Sequence, residues 1–174
     1  DGRKLHPVAH QLLVAGAMMA DDVEGNAGDA TSNIIDDIPL IESQEAAVEK
    51  IDTYNTSDGA SAEPTVGDYD DAYVTGVTAN NLEAVNARVL AEDEEGTDTV
   101  VEIQHLVTEV NALALIEAYN NGDGTTPPPP TVDDYADAGV SGVTDDNVDD
   151  VNARVLSQDP GGADTVPEVQ NLVD

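Results

Sequence analysis

The hexapeptide VNARVL occurs twice, at Val85–Leu90 and Val151–Leu156, 66 positions apart, and much of what surrounds the first copy surrounds the second. Tyr54–Asn55 returns as Tyr119–Asn120 at an offset of 65. Tyr69, Gly76, Thr78 and Asp98–Thr99 return as Tyr135, Gly142, Thr144 and Asp164–Thr165 at an offset of 66. One residue added in the loop that holds Pro127–Pro130 accounts for the change. Repetition at this period outranks total length as a guide to architecture, because each copy is a packing unit that its neighbours complete.

Between the two copies runs DTVVEIQHLVTEVNALALIEAYNN, Asp98–Asn121, with neither Gly nor Pro. Thr99 stands three residues before Glu102, the spacing of a capping box, and Gly122 supplies the stop, so the stretch predicts one helix. A helix from Thr99 to Asn121 extends about 35 Å at the usual rise. Its apolar residues divide by position: Ile103, Leu106, Val107 and Val110 serve the preceding copy, and Leu113, Ile116 and Tyr119 the following one. The expected fold is therefore all-α, with tandem small helical-bundle modules joined by a shared continuous helix.

On this reading residues 1–45 are a partial or degenerate preceding module, 46–110 the first helical module and 111–174 the second. In residues 1–45, Val8–Leu13 has the apolar spacing of VNARVL, Asp21–Thr31 reads as an exposed connection, and Ile34–Ile41 takes the place of Val100–Leu106. Pro39 is expected in the first turn of a helix starting near Asp36 or Asp37, where its missing N–H costs nothing. The first module opens with a helix over Ala46–Tyr54, ended by Asp58 and Gly59. Thr65 and Thr131 cap short helices with T-x-x-D spacing, and Thr78 and Thr144 start the helices that carry VNARVL. Gly76 and Gly142 lie between β-branched residues and predict a positive φ or close packing. Val74–Val77 as a tiny strand is the alternative there.

Charge excludes several classes of partner. Lys and Arg total 5 against 37 Asp and Glu, a formal net charge of -32, so phosphate backbones and anionic membranes repel the chain. Such acidity suits a salty or calcium-containing exterior, or equally a halophilic cytoplasm, where cations screen self-repulsion. With aromatics at 3% and no Phe or Trp, cores must be built from Val, Leu, Ile, Ala and Tyr. The absence of Cys removes disulfides, thiol nucleophiles and zinc knuckles. No run is long enough to span a membrane. Leu12–Ala20 behind Arg3 and Lys4 has only a faint likeness to a signal peptide, and a start at Asp1 makes an excerpt of a longer chain the expectation.

Candidate chemistry is sparse. Carboxylate pairs arise by chance among so many acids, and small bundles offer few clefts able to split their pKa values, so no enzyme is expected. His6 and His10 share the i, i+4 spacing of some zinc sites, but Pro7 follows His6 and no third ligand is placed. His105 has Asn171 as its counterpart, which argues against a repeated metal role. Asn120, Asn121 and Asp123 offer oxygen ligands in a Gly-rich turn, which makes weak calcium at Asn121 and Asp123 the one cofactor candidate; a helix C-terminal turn explains the same residues without metal, and diffuse cation binding is the stronger expectation. The spacing is not that of an EF-hand, since Gly124 at the sixth position puts Tyr119 at the first. Arg88 and Arg154 hold equivalent places in the hexapeptide. Glu92 follows Arg88 by four, but Gln158 follows Arg154, so a shared clasp requires an acid from another helix, with Asp71 and Asp137, or Asp98 and Asp164, as candidates.

The phrases IEAYNNGDGTTPPPPTVDDYADAGVSGVTDDNVDDVNARVL and GGADTVPEVQNLVD resemble tandem helical repeat modules found in large, repetitive surface proteins and adhesins of aquatic bacteria. The resemblance covers both modules from about Ala46 to Asp174. It implies an exported, multi-module, non-enzymatic protein at the cell surface or outside the cell, and carries no catalytic residues to transfer. The expected function is a structural spacer or stalk repeat whose partners are neighbouring repeat modules or like subunits. A self-assembling subunit of an extracellular filament and a calcium-dependent binding module are the alternatives.

Overall fold

Capping chemistry at Thr99 starts the helix around which the other elements are arranged. The computed structural model describes residues 30–173, apart from 94 and 126, and every regular element among them is an α-helix. In order these are α1 (Ala30–Thr56), α2 (Val66–Asp71), α3 (Leu82–Leu90), α4 (Val100–Asn120), α5 (Val132–Asp137), α6 (Val148–Leu156) and α7 (Val166–Val173). The Thr99 side chain accepts from the Glu102 N–H, and the Glu102 carboxylate accepts from the Thr99 N–H at 3.0 Å. These bonds satisfy two of the donors that a helix start leaves open. From there α4 runs 21 residues, about 31 Å, to its C-cap Asn121. Thr65 with Asp68 and Thr131 with Asp134 form the same box at the starts of α2 and α5.

Packing follows one scheme twice. α1 packs on α2 and α3, and α3 packs on α4; then α4 packs on α5 and α6, and α6 packs on α7. Hence α4 closes one set of helices and opens the next. The first hydrophobic cluster takes Ile103, Leu106 and Val107 from α4, with Val110 against its edge, and adds Ile51, Tyr54, Tyr69, Val85 and Val89. The second begins on α4 at Ala112, takes Ile116 and Tyr119, and adds Tyr135, Val151, Val155 and Val169. Leu113 packs against it. The division of α4's apolar residues read from the sequence is thus the one observed.

Three local expectations are corrected. The helix expected over Ala46–Tyr54 is the later part of α1, which begins at Ala30 and continues through Pro39. Pro39 therefore lies inside the helix rather than in its first turn, and the helix forgoes the backbone bond that its ring nitrogen cannot donate. Burial of Ala47, Val48, Ile51 and Tyr54 anchors the later part of the same helix. The 45/46 position falls within α1. Thr78 and Thr144 do not begin α3 and α6 directly. Their N–H groups are held by the side chains of Asn81 and Asn147 at 2.6 and 2.7 Å, and the helices start one residue after those asparagines. Around Gly76 there is no strand among the described residues. Val8–Leu13, Leu12–Ala20, His6 and His10 lie outside the described residues, as does most of Asp21–Thr31.

Because α4 belongs to both clusters, breaking it midway is expected to separate them. Leu113→Pro removes a backbone bond at the crossover, at a cost of about 3 kcal/mol. Scanning calorimetry is expected to resolve two unfolding transitions in that variant against one in the parent chain.

Candidate functional site

The repeated hexapeptide places an asparagine, not only an arginine, at the centre of each cluster. Tyr69 Oη donates to Asn86 Oδ1 at 2.7 Å, and Asn86 Nδ2 donates to the Pro64 carbonyl at 3.0 Å. Tyr135, Asn152 and the Pro130 carbonyl repeat the chain of bonds at 2.7 and 2.9 Å. Both phenols are fully buried. Burial, then neighbouring negative groups, push both well above the ordinary tyrosine range, so each stays a hydrogen-bond donor. This relay ties α2 to α3, and α5 to α6, through the loop before the shorter helix. Its polar groups are satisfied inside the protein, as buried groups must be.

Asn55 and Asn120 cap helix ends through their side-chain amide nitrogens. Asn55 Nδ2 donates to the carbonyls of Val89 and Glu92 at 2.6 and 3.1 Å, and Asn120 Nδ2 to those of Val155 and Gln158 at 2.8 and 3.3 Å. Each closes the C-terminal end of the helix that carries VNARVL. A further pair was not singled out from the sequence. Gln104 Oε1 accepts from the Thr75 N–H at 2.8 Å while its Nε2 donates to the Thr75 carbonyl at 3.1 Å. Gln170 treats Ser141 alike, at 2.8 and 3.0 Å. The side-chain amide thus takes both backbone groups of a residue that lies outside any regular element. Identity of Gln104 and Gln170 at the common offset was the available signal. Beside this clamp Gly76 and Gly142 have φ of 88° and 84°, and a Cβ on Gly76 would meet Asn111 Nδ2 at 3.0 Å.

Arg88 forms an interhelix clasp, but its partner is neither Asp71 nor Asp98. Its Nε and Nη2 donate to the two carboxylate oxygens of Glu109 on α4 at 3.1 and 3.0 Å, and Nη1 pairs with Glu92. Glu109 lies on α4, which packs on α3, whereas Asp71 ends α2 and Asp98 precedes the cap of α4. Arg154 donates from Nη1 to the Leu172 carbonyl at 2.7 Å, in the last turn of α7; at the offset of 66 the position equivalent to Glu109 falls after the last residue of the sequence. The remaining described basic side chain, Lys50, pairs with Asp68 at 2.5 Å. Burial raises the Asp68 pKa, but bonds from Lys50 and Thr65 outweigh it and hold the carboxyl below its usual value.

Asn121 and Asp123 are exposed at the end of α4. Asp123 Oδ1 accepts from both the N–H and the hydroxyl of Thr125, at 2.9 and 2.6 Å, which makes a local turn. Asp164 and Glu168 meet at the start of α7, where Glu168 raises the Asp164 pKa and Thr165 lowers that of Glu168. Among the described residues no group of three or more His, Asp or Glu side chains is arranged to hold a metal ion. His105 is exposed on α4. A shallow groove of about 320 Å³ lies between α1 and the connection after it, lined by Ala46, Glu49, Lys50, Thr53, Ser61 and Ala62. Its ammonium is the one bound to Asp68, and its only carboxylate is Glu49. No helix among the described residues is long and apolar enough to cross a membrane.

Compared with protein-family models, curated proteins and solved structures, the chain matches none of them.

Two substitutions test the internal devices. Tyr69→Phe leaves Asn86 Oδ1 buried without its donor and is expected to cost about 1–3 kcal/mol, with Tyr135→Phe costing a similar amount through Asn152; urea unfolding measures both. Arg88→Met strips a partly buried carboxylate of its bidentate partner. It is expected to lower stability by about 1 kcal/mol and by more than Arg154→Met, which removes one bond to a carbonyl. Equal midpoints for the two methionine variants would contradict the clasp.

Proposed function

We propose that this chain is a non-enzymatic spacer or stalk repeat of a bacterial cell-surface or extracellular adhesin-like protein. The observation that carries the reading is α4, one unbroken helix whose first half closes one hydrophobic cluster and whose second half closes the next. Units joined through such a helix keep their spacing and orientation, because moving them apart breaks core contacts rather than straightening a linker. Apart from Ser61 Oγ and Asn120 Oδ1, which are buried without a partner, the polar side chains inside the described part bond to backbone groups and to one another, the pattern of a scaffold. A net charge of -32 keeps copies apart in solution and suits an exterior rich in screening cations. Likeness of the repeat phrases to those of bacterial surface proteins points the same way. Partners on this reading are neighbouring repeat modules or like subunits. Calcium acts as a screening ion, with Asn121 and Asp123 the place for a weak site.

Residual dipolar couplings from the chain in a weakly aligning medium test the proposal. Amides of residues 46–107 and 112–173 are expected to fit one alignment tensor, whereas separate tensors would show two freely jointed units and overturn the spacer. Ordered fibres of the purified chain in electron micrographs would favour the filament subunit instead. A saturable heat on calcium titration would favour a calcium-dependent binding module.

A further inference from the structure

In the first repeat successive residues of α4 close one end of the module. Glu109 takes the Arg88 guanidinium through two bonds, Val110 packs against the edge of the apolar cluster, and Asn111 meets the turn before α3. There Asn111 Nδ2 donates to the Gly76 carbonyl at 3.1 Å, and its Oδ1 accepts from Asn81 Nδ2 at 2.6 Å. A single helical turn thus engages a cation, an apolar edge and a backbone turn.

The second repeat presents the same receiving groups side by side. Arg154, Gly142 and Asn147 are the counterparts of Arg88, Gly76 and Asn81. Arg154 is bonded to the Leu172 carbonyl, a Cβ on Gly142 would lie 3.4 Å from Val173 Cγ1, and Asn147 Nδ2 donates to the Gly142 carbonyl at 3.0 Å. These contacts join them into one surface around the last turn of α7. Its apolar part is more open than in the first repeat: Val77, Leu106 and Val107 are buried, whereas their counterparts Val143, Leu172 and Val173 are only partly so.

The bond that Arg154 makes fits the same scheme. The Leu172 carbonyl is among the last of α7, which have no donor within the helix. Its counterpart, the Leu106 carbonyl, lies inside α4, where the backbone one turn on supplies the donor. A turn continuing α7 takes the Leu172 carbonyl by its own backbone and releases the arginine to a carboxylate at the place of Glu109. We propose that this surface docks a helical turn that continues α7 and presents a carboxylate, an aliphatic side chain and an asparagine amide in succession. The carboxylate pairs with Arg154, the aliphatic group covers the edge formed by Val143, Leu172 and Val173, and the amide joins Asn147 and the Gly142 carbonyl. The fit rests on the first repeat; that a next module supplies the turn rests on the spacer reading.

Extending the full chain after Asp174 by EVNALA, the sequence of 109–114, tests the docking by amide hydrogen exchange over Val169–Val173. Exchange is expected to slow at least about tenfold relative to a chain extended by AAAALA, a better helix former without the matching side chains. Extension by QVNALA, which leaves the chain's own residues untouched, is expected to lose about threefold or more of that gain. Arg154→Met, compared with EVNALA and AAAALA in its own background, is expected to lose as much. Equal exchange with EVNALA and AAAALA, or a gain that survives either change, would overturn the proposal. A gain at α7 alongside two alignment tensors would leave the docking standing without the spacer, and one tensor without the gain would do the reverse.

Discussion

Everything in this protein depends on α4 having two obligations. A helix that serves one bundle has one apolar stripe; α4 has apolar residues directed to one cluster over its first two turns and to another over its last two. Ile103, Leu106 and Val107 are buried with α3, while Ala112, Ile116 and Tyr119 are buried with α5 and α6. Neither cluster contains Phe or Trp, and small aliphatic cores give little margin over chain entropy. Sharing a helix is the economical solution, because one set of ordered backbone serves two packing surfaces.

Around that helix the structure spends its polar side chains on backbone groups that short helices and tight loops leave open. Capping boxes at Thr65, Thr99 and Thr131 take the helix starts, Asn55 and Asn120 take the ends of α3 and α6, and Gln104 and Gln170 take the extended residues between. The Tyr–Asn relay fixes each loop against its helix. Such a molecule is specified by satisfied hydrogen bonds as much as by burial, which fits a composition poor in large apolar residues. The spacer proposal accordingly rests on the geometry of α4 rather than on a pocket.

The two repeats are not equivalent on their surfaces. Lys50 and Asp68 pair in the first, whereas Leu115 stands at the position of Lys50 in the second. Tyr73 and Val101 replace a glycine and a proline. The interior bonds recur in both repeats while these exposed positions differ.

By itself the sequence determined the repeat, the shared helix with its cap at Thr99 and the split of its apolar residues. It also determined the caps at Thr65 and Thr131 and the positive φ at Gly76 and Gly142. All of these rest on local chemistry or on periodicity, which one chain displays directly. Tertiary structure decided what pairs with what. Glu109 was hidden as the partner of Arg88 because helix-to-helix distance is not written in the spacing of either residue. The use of the Asn120 side-chain nitrogen was hidden for the same reason, since the carbonyls it caps lie 35 and 38 residues away. Pro39 was placed at a helix start because a local rule disfavours it inside. Burial further along the same helix anchors it regardless, and that is a contribution only the folded chain can supply.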